Sequence, residues 1–390
     1  MLRLALPPIL VRRSMKSIFR DPTDFRLFLV LSMSLLAEQR EVTSAPPVHV
    51  VDPSQERVLF AFSKGDRAQF FPAYCDSFPG EGKRTWIDSA TFKSYEDWME
   101  CLKELLPTVV VSCWSTPALP PSLLLSDSFP LRYLCHTTGT VKSKVPRDFI
   151  ARGGLVTNWG NVISHNVAEH ALLLVLASLR KITNWRESIV TNNGTWGNAY
   201  LMKTKSLRGK KVGIHGIGNV ANELVRLLRP FDVECRAFSQ NVPPDFVKER
   251  GCIPCRDLKE LFRESEIVVE CEALTPQSTG SVTEELLRAM PEGALFVNVG
   301  RGAVVDEKAL MRVVAEGRIR VALDVFDTEP LPADSPFLKH ENVVVSPHIA
   351  GPAGDWFHRC GDYALENVDR YLAGRPLNGV VSVEIYDRTT

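Results

Sequence analysis

Lys211-Val-Gly-Ile-His-Gly-Ile-Gly-Asn-Val-Ala221 runs from a short apolar strand pattern through Gly216-x-Gly218-x-x-Ala221 into a segment with helical spacing. Each small residue has a physical task in such a turn. Gly216 permits the tight reversal, Gly218 lets backbone come within contact of a pyrophosphate, and Ala221 lets helix and strand lie close together. The first helical N–H groups, those of Asn219 and Val220, are then free to bond an anion. A glycine pattern alone is weak, but here a strand precedes, a helix follows, and a second strand over 233–238 comes about 20 residues on. The spacing predicts a dinucleotide site. At the end of that second strand an acidic residue would accept the ribose hydroxyls of NAD, and this chain has Phe238-Ser239-Gln240 instead. Ser239 then stands as the ribose contact. No carboxylate there repels a 2′-phosphate and no adjacent arginine grips one, Arg236 being the nearest. The expected cofactor is therefore NAD or NADP, with a lean away from strict NAD.

Outward from this turn, alternation of short apolar runs with helical segments continues on both sides. Downstream, strands are expected at 267–271, 294–298, 319–325 and 342–346, with helices at 256–264, 282–290 and 306–316. With 211–215 and 233–238 these six strands make a doubly wound parallel sheet. Upstream, strands at 57–62, 108–113 and 131–135 with a helix at 95–106 argue a second parallel sheet. Ser164–Ile182 is apolar on nearly all sides between Val167 and Leu179, which predicts a helix buried between two domains. The polar stretch 186–208 reads as a connecting loop, and Trp356–Leu372 as a helix that returns to the first domain.

The 390 residues predict two domains or three at roughly 100–200 residues each. With 45% hydrophobic, 24% charged and 8% aromatic residues the chain is neither disordered nor a polytopic membrane protein. Lys+Arg and Asp+Glu are both 46, so no basic excess marks a nucleic-acid or anionic-membrane partner. Nine cysteines, mostly in apolar runs, suit a reducing compartment. Cys252 and Cys255 lack the further pair or spaced histidines of a zinc site, so no metal is expected. Near the start, five basic residues (Arg12, Arg13, Lys16, Arg20, Arg26) precede the apolar run Leu27–Ala37. That run is too short to span a bilayer easily, and it lies far from Met1 for a secretory signal. We read residues 1–56 as a poorly ordered extension, with 43–56 a linker.

Three polar groups follow three of the expected strands: Arg301 after Asn298-Val-Gly, Glu329 in Asp324-Val-Phe-Asp-Thr-Glu-Pro330, and His348 in Ser346-Pro-His-Ile-Ala-Gly351. Alone, each is a surface charge, a turn residue or a loop histidine. Carboxyl ends of strands in a doubly wound sheet converge on one crevice, so together they make a site. Arginine grips a carboxylate through two parallel hydrogen bonds and polarises a neighbouring carbonyl. Histidine carries a proton near neutral pH, and a carboxylate beside it favours the imidazolium. This is chemistry for hydride transfer at a 2-hydroxy or 2-oxo acid.

At this point the chain resembles the D-isomer-specific 2-hydroxyacid dehydrogenase family over roughly residues 57–375. The matching blocks are Val167-Ala-Glu169, Gly216-Ile-Gly218, Leu274-Thr-Pro-Gln-Ser-Thr279, Asn298 to Leu310, Asp324 to Pro330 and Ser346 to Gly351. The resemblance implies a flavodoxin-like substrate domain (57–160 with 353–390), a Rossmann NAD(P)-binding domain (161–352) and an active site between them. It also implies a homodimer through the cofactor domain and a cytoplasmic location, where the nicotinamide pool lies. Carried over, Arg301 would bind substrate, His348 would be the acid/base and Glu329 would pair with it. Asp324 and the carbonyl of Val299 would hold the nicotinamide carboxamide. Backbone N–H groups of the loop Thr137–Thr140, at Thr138, Gly139 and Thr140, would bind the substrate carboxylate. Asp306 fits helix capping. Departures are Ala221 for a third glycine, Ser239 for the acid, and Glu270-Cys-Glu-Ala273 where the family commonly has His-x-Pro. Two other readings keep the fold: a protein that binds NAD(H) to signal redox state, and a dehydrogenase of another small anion such as formate.

Overall fold

Seven residues of one surface-to-core helix, α1 (Lys64–Phe70), follow the first strand, β1 (Arg57–Ala61), after Ser63 caps the helix by accepting from the Asp66 N–H. The computed structural model describes residues 52–74, 76–80, 83–191 and 202–388. The expected extension therefore lies outside the described residues up to residue 51, as does the apolar run near the start. At its far end Pro53–Gln55 forms a 3₁₀ turn, and the buried carboxylate of Glu56 pairs with Arg132.

The first sheet adds β2 (Lys83–Ile87), β3 (Val109–Ser112), β4 (Tyr133–His136) and β5 (Leu155–Thr157). The strands are all parallel, in the order β2-β1-β3-β4-β5 that defines a flavodoxin-like sheet. Helices α2 (Tyr95–Leu105), α3 (Pro121–Leu124) and α4 (Arg147–Ala151) connect them. A capping box between Ser94 and Asp97 starts α2, whose Trp98 and Leu102 are wholly buried against Leu59, Val110 and Leu134.

Between the sheets, α5 (Ser164–Leu179) lies along the second sheet beside its first crossover helix. Ile163, at its start, touches the cores of both sheets, while Leu173 is 53% exposed. After a 3₁₀ turn comes α6 (Trp185–Thr191). This is a difference from the expected loop over 186–208, of which 192–201 lie outside the described residues. None of its residues is buried, so no apolar stripe marked it in the sequence.

The second sheet has seven parallel strands: β6 (Lys211–His215), β7 (Glu234–Phe238), β8 (Ile253–Pro254), β9 (Ile267–Glu270), β10 (Leu295–Asn298), β11 (Arg320–Leu323) and β12 (Val343–Val345). Their order is β12-β11-β10-β9-β6-β7-β8, the doubly wound Rossmann arrangement with one strand beyond the expected six. The crossover helices are α7 (Asn219–Leu228), α8 (Pro244–Glu249), α9 (Leu258–Glu264), α10 (Glu284–Ala289) and α11 (Glu307–Ala315). Asp306 caps α11, accepting from the Ala309 N–H at 2.9 Å. Two apolar layers, one on each face, bury the sheet.

Helix α12 (Phe357–Leu372) then returns to the first sheet. Its Cys360, Ala364, Val368 and Tyr371 pack on Phe60, Val111 and Tyr133. Gly361 lies so close to the Phe70 carbonyl that a β-carbon would collide with it. The last helix is α13 (Val383–Arg388). No helix among the described residues is long and apolar enough to cross a membrane.

Candidate active site

The turn after β6 is built as a cradle. Gly216 has φ +87°, and a β-carbon there would stand 2.6 Å from both N and Cα of Glu272. Only glycine combines that conformation with that approach. Gly218, the N-cap of α7, faces open space, with nothing within 4 Å of where its β-carbon would be. Asn219 and Val220 open the helix beside it, and Ala221 is wholly buried under it. This bare backbone at a helix start fits a dinucleotide pyrophosphate.

The ends of β10, β11 and β12 carry the other groups. Asn298 folds the chain over itself, its Oδ1 accepting from the Gly300 N–H (3.0 Å) and its Nδ2 donating to the Arg301 carbonyl (3.0 Å). Gly302 then abuts the Phe326 carbonyl so tightly that no β-carbon fits. That contact sets the Arg301 loop against the Asp324–Pro330 loop. Arg301 donates to the Gly300 carbonyl at 2.8 Å. Burial lowers its guanidinium pKa, and the charge of Glu329 opposes the shift.

Glu329 holds two partners: Oε1 accepts from the Phe326 N–H (2.9 Å) and Oε2 lies 2.7 Å from Nδ1 of His348. The His348 side chain is 49% exposed, and among the described residues its Nε2 has no hydrogen-bond partner. Its φ of +53° is unusual for a residue with a β-carbon. The backbone is held there by Asp324, whose carbonyl accepts from the His348 N–H at 2.9 Å. The structure thus brings Arg301, Glu329 and His348 together.

Asp324 is wholly enclosed. Its carboxylate accepts from Ser346 Oγ (2.6 Å) and from the N–H groups of Ile349 (3.0 Å) and Ala350 (2.9 Å). Nε2 of His170 lies 3.4 Å away and bonds Ser346 Oγ at 2.8 Å. Burial raises the carboxyl pKa, but these hydrogen bonds outweigh it and hold Asp324 below the usual range. The partners of its carboxylate are all in the loop that carries His348 or on α5. Val299, beside it in the strand-end layer, donates its N–H to the Glu270 carbonyl, and among the described residues no donor meets its own carbonyl. A concavity of about 290 Å³ opens alongside, lined by Asn166, Glu169, His170, Leu173, Ile349 and Ala350.

On the first sheet, the loop after β4 is clamped from below. Thr138 is 1% exposed, its Oγ1 bonded to Nε2 of His136 at 2.6 Å, while Nδ1 of His136 meets Ser112 Oγ at 2.7 Å. The Thr138 side chain is therefore turned inward. The Trp159 N–H donates to the Thr138 carbonyl and Asn158 Nδ2 to the Gly139 carbonyl (2.8 Å). A β-carbon on Gly139 would meet the Trp159 ring at 2.8 Å. No acceptor among the described residues takes the N–H groups of Gly139 and Thr140. Unmet amides on a rigid loop suit an anion.

Sequence reasoning passed over one constellation. At the end of β6 the buried His215 bonds Glu270 on neighbouring β9, Nδ1 to Oε2, at 2.5 Å. Ser239, the expected ribose contact, donates its hydroxyl to Glu272 Oε2 at 2.7 Å. The departure at Glu270-Cys-Glu-Ala273 was the available signal, but pairing across strands depends on the strand order.

A parallel sheet with a glycine cradle, beside an arginine and a glutamate-paired histidine on successive strand ends, defines a nicotinamide-dependent oxidoreductase. Comparison narrows the class. Residues 172–350 match the family model described as D-isomer specific 2-hydroxyacid dehydrogenase, NAD binding domain. A glyoxylate reductase of Thermofilum pendens is 34% identical over 300 residues, covering 74% of this chain and 87% of the relative. A D-3-phosphoglycerate dehydrogenase of Methanocaldococcus jannaschii is 30% identical over 233 residues, 60% of this chain and 44% of that longer protein. The crystal structure of the PH0520 protein from Pyrococcus horikoshii superposes with a TM-score of 0.66 at 25% identity, over 85% of this chain and 96% of the other. The chain belongs to the D-isomer-specific 2-hydroxyacid dehydrogenase family.

Proposed function

We propose that the protein interconverts a 2-oxo acid and its D-2-hydroxy acid with NAD(H) or NADP(H). The observation that carries this reading is the 2.7 Å contact between His348 and Glu329, with Arg301 beside Glu329 at the end of the adjoining strand. When bound, the nicotinamide supplies or accepts the hydride at C2. Arg301 holds the substrate carboxylate and polarises the adjacent carbonyl. The amides of Gly139 and Thr140, with that of Thr138, bind the same carboxylate from the other sheet. His348 donates a proton from Nε2 to the carbonyl oxygen in reduction and takes it back in oxidation, while Glu329 fixes the ring through Nδ1. Asp324 positions the histidine loop, and the Val299 carbonyl is left to receive the carboxamide.

We assign residues 57–160 and 353–390 to the substrate domain and 161–352 to the cofactor domain, with the reaction between them. A homodimer through the cofactor domain is supported by exposed apolar side chains on α5 and α6, namely Leu173, Trp185, Ile189 and Val190; sedimentation at a monomer mass would remove it. The substrate is a small soluble acid met in the cytoplasm, where cell fractionation would locate the protein.

The test is a panel of 2-oxo acids, glyoxylate, hydroxypyruvate, pyruvate, phenylpyruvate and branched analogues, each with NADH and NADPH, followed by loss of reduced-cofactor absorbance. Glyoxylate heads the panel because two relatives, at 33% and 34% identity, are glyoxylate reductases. Turnover of at least one is expected. Tight dinucleotide binding without turnover of any would replace the enzyme reading with a redox-sensing one.

A further inference from the structure

The sequence places an uncharged serine where a doubly wound fold usually sets the acid that receives the adenosine ribose. The fold brings a carboxylate to that same point from another strand. Strand β6 lies between β9 and β7, and the chain leaving β9 passes directly over the glycine cradle. N and Cα of Glu272 stand 2.6 Å from where a Gly216 β-carbon would be. From there the Glu272 side chain reaches across the end of β6 to Ser239 at the end of β7, accepting its hydroxyl at 2.7 Å.

The carboxylate is anchored without being used up. Oε2 accepts from Ser239, Oε1 accepts from the Ala273 N–H at 3.0 Å, and the side chain stays 19% exposed. Each carboxylate oxygen has a second lone pair for an incoming hydroxyl. Below it, the Glu272 N–H donates to Glu270 Oε1 at 2.7 Å, and the other oxygen of Glu270 holds His215. Nε2 of His215 is 4.0 Å from Glu272 Oε2. Burial opposes charge on this imidazole, but the charge and hydrogen bond of Glu270, with the charge of Glu272, raise its pKa. A single imidazole beside two carboxylates cannot neutralise both in either protonation state, so negative charge is left at the exposed member. No lysine or arginine among the described residues pairs with Glu272 or bonds Ser239. Arg236, the nearest in sequence, is held by Glu234 at 2.8 Å.

We propose that Glu272, aimed by Ser239, receives the 2′- and 3′-hydroxyls of the adenosine ribose and makes the protein select NAD(H) over NADP(H). The acid comes from the β9 end and is delivered through a serine to the place where the β7 end lacks one. A 2′-phosphate at this point would face a carboxylate that no lysine or arginine among the described residues pairs with, in a partly buried site where like charges repel strongly. The inference rests on the nicotinamide-dependent reading above.

The test is direct titration of the purified full chain with NADH and with NADPH, read by nucleotide fluorescence and calorimetry without substrate, for the wild type, Glu272→Gln and Glu272→Asp. The wild type is expected to bind NADH at least about tenfold more tightly than NADPH. Glu272→Gln should cut that ratio by about tenfold, chiefly by tightening NADPH, and Glu272→Asp should keep the preference for NADH. Thermal unfolding of each variant checks that the fold is intact. A wild type that binds NADPH as well as NADH overturns the proposal whatever the variants do, and leaves the functional reading standing. An unchanged ratio in a folded Glu272→Gln overturns it too, leaving Glu272 as a partner of Ser239 alone. A wild type that binds neither dinucleotide removes this proposal and the cofactor reading together.

Discussion

Replacing His136 by asparagine should flatten the acid side of the protein's stability curve. His136 ends β4 with its ring 2% exposed, clamped between the hydroxyls of Ser112 and Thr138. Burial, helped by the nearby charge of Lys144, lowers its pKa from 6.5 to about 3. The native ring is therefore neutral at pH 5, one nitrogen donating and the other accepting. The unfolded ring, titrating near 6.5, is almost fully protonated there. A depressed native pKa means that no stability is lost to this group above about pH 6.5, and that loss grows as pH falls toward the native value. From about pH 7.5 to about pH 5 the linkage costs the fold about 2 kcal/mol, a figure set by the unfolded pKa because the native ring stays neutral throughout. The variant loses that dependence while paying a fixed cost of about 1–3 kcal/mol for its unmet hydroxyls. Urea unfolding at a series of pH values measures both terms. The gap between wild type and variant should narrow by about 2 kcal/mol across the window. Parallel curves would refute a neutral, buried His136. The same variant frees the Thr138 side chain, so KM for the substrate should rise more than kcat falls.

Two further substitutions probe the site. Glu329→Gln keeps the shape but removes the charge that orients His348, and kcat should fall by about 10²- to 10³-fold with dinucleotide affinity unchanged; fluorescence titration beside steady-state kinetics reads the split. Gly216→Val puts a branched side chain at φ +87° and 2.6 Å from the Glu272 backbone, so dinucleotide binding should weaken by at least about tenfold, as calorimetry would show.

Where strands are buried on both faces their apolar runs are legible, and the four-residue cores β3, β9 and β10 fall inside the expected segments. The edges are not. Lys83-Arg-Thr-Trp-Ile87 carries two charges and no wholly buried residue, and β8 has two residues, one of them Pro254. Edge strands are short and polar because a long apolar edge would aggregate, and this is what hides them from pattern reading. Arg301, Glu329 and His348 were legible since each follows a readable strand, and the carboxyl ends of such strands meet. Glu272 was not, because its contact with Ser239 exists only once β6 is known to lie between β9 and β7. His136 was likewise hidden, since its partners Ser112 and Thr138 stand at the ends of two strands that sequence spacing does not pair.

The central claim is that His348 moves the proton while the cradle at Gly216 and Gly218 binds the dinucleotide independently. His348→Asn separates the two, measured as NADH affinity by titration and turnover of the best 2-oxo acid on the same sample. The account predicts affinity within about twofold of wild type and turnover down by about 10²- to 10⁴-fold. Turnover at the wild-type rate in that variant would contradict it.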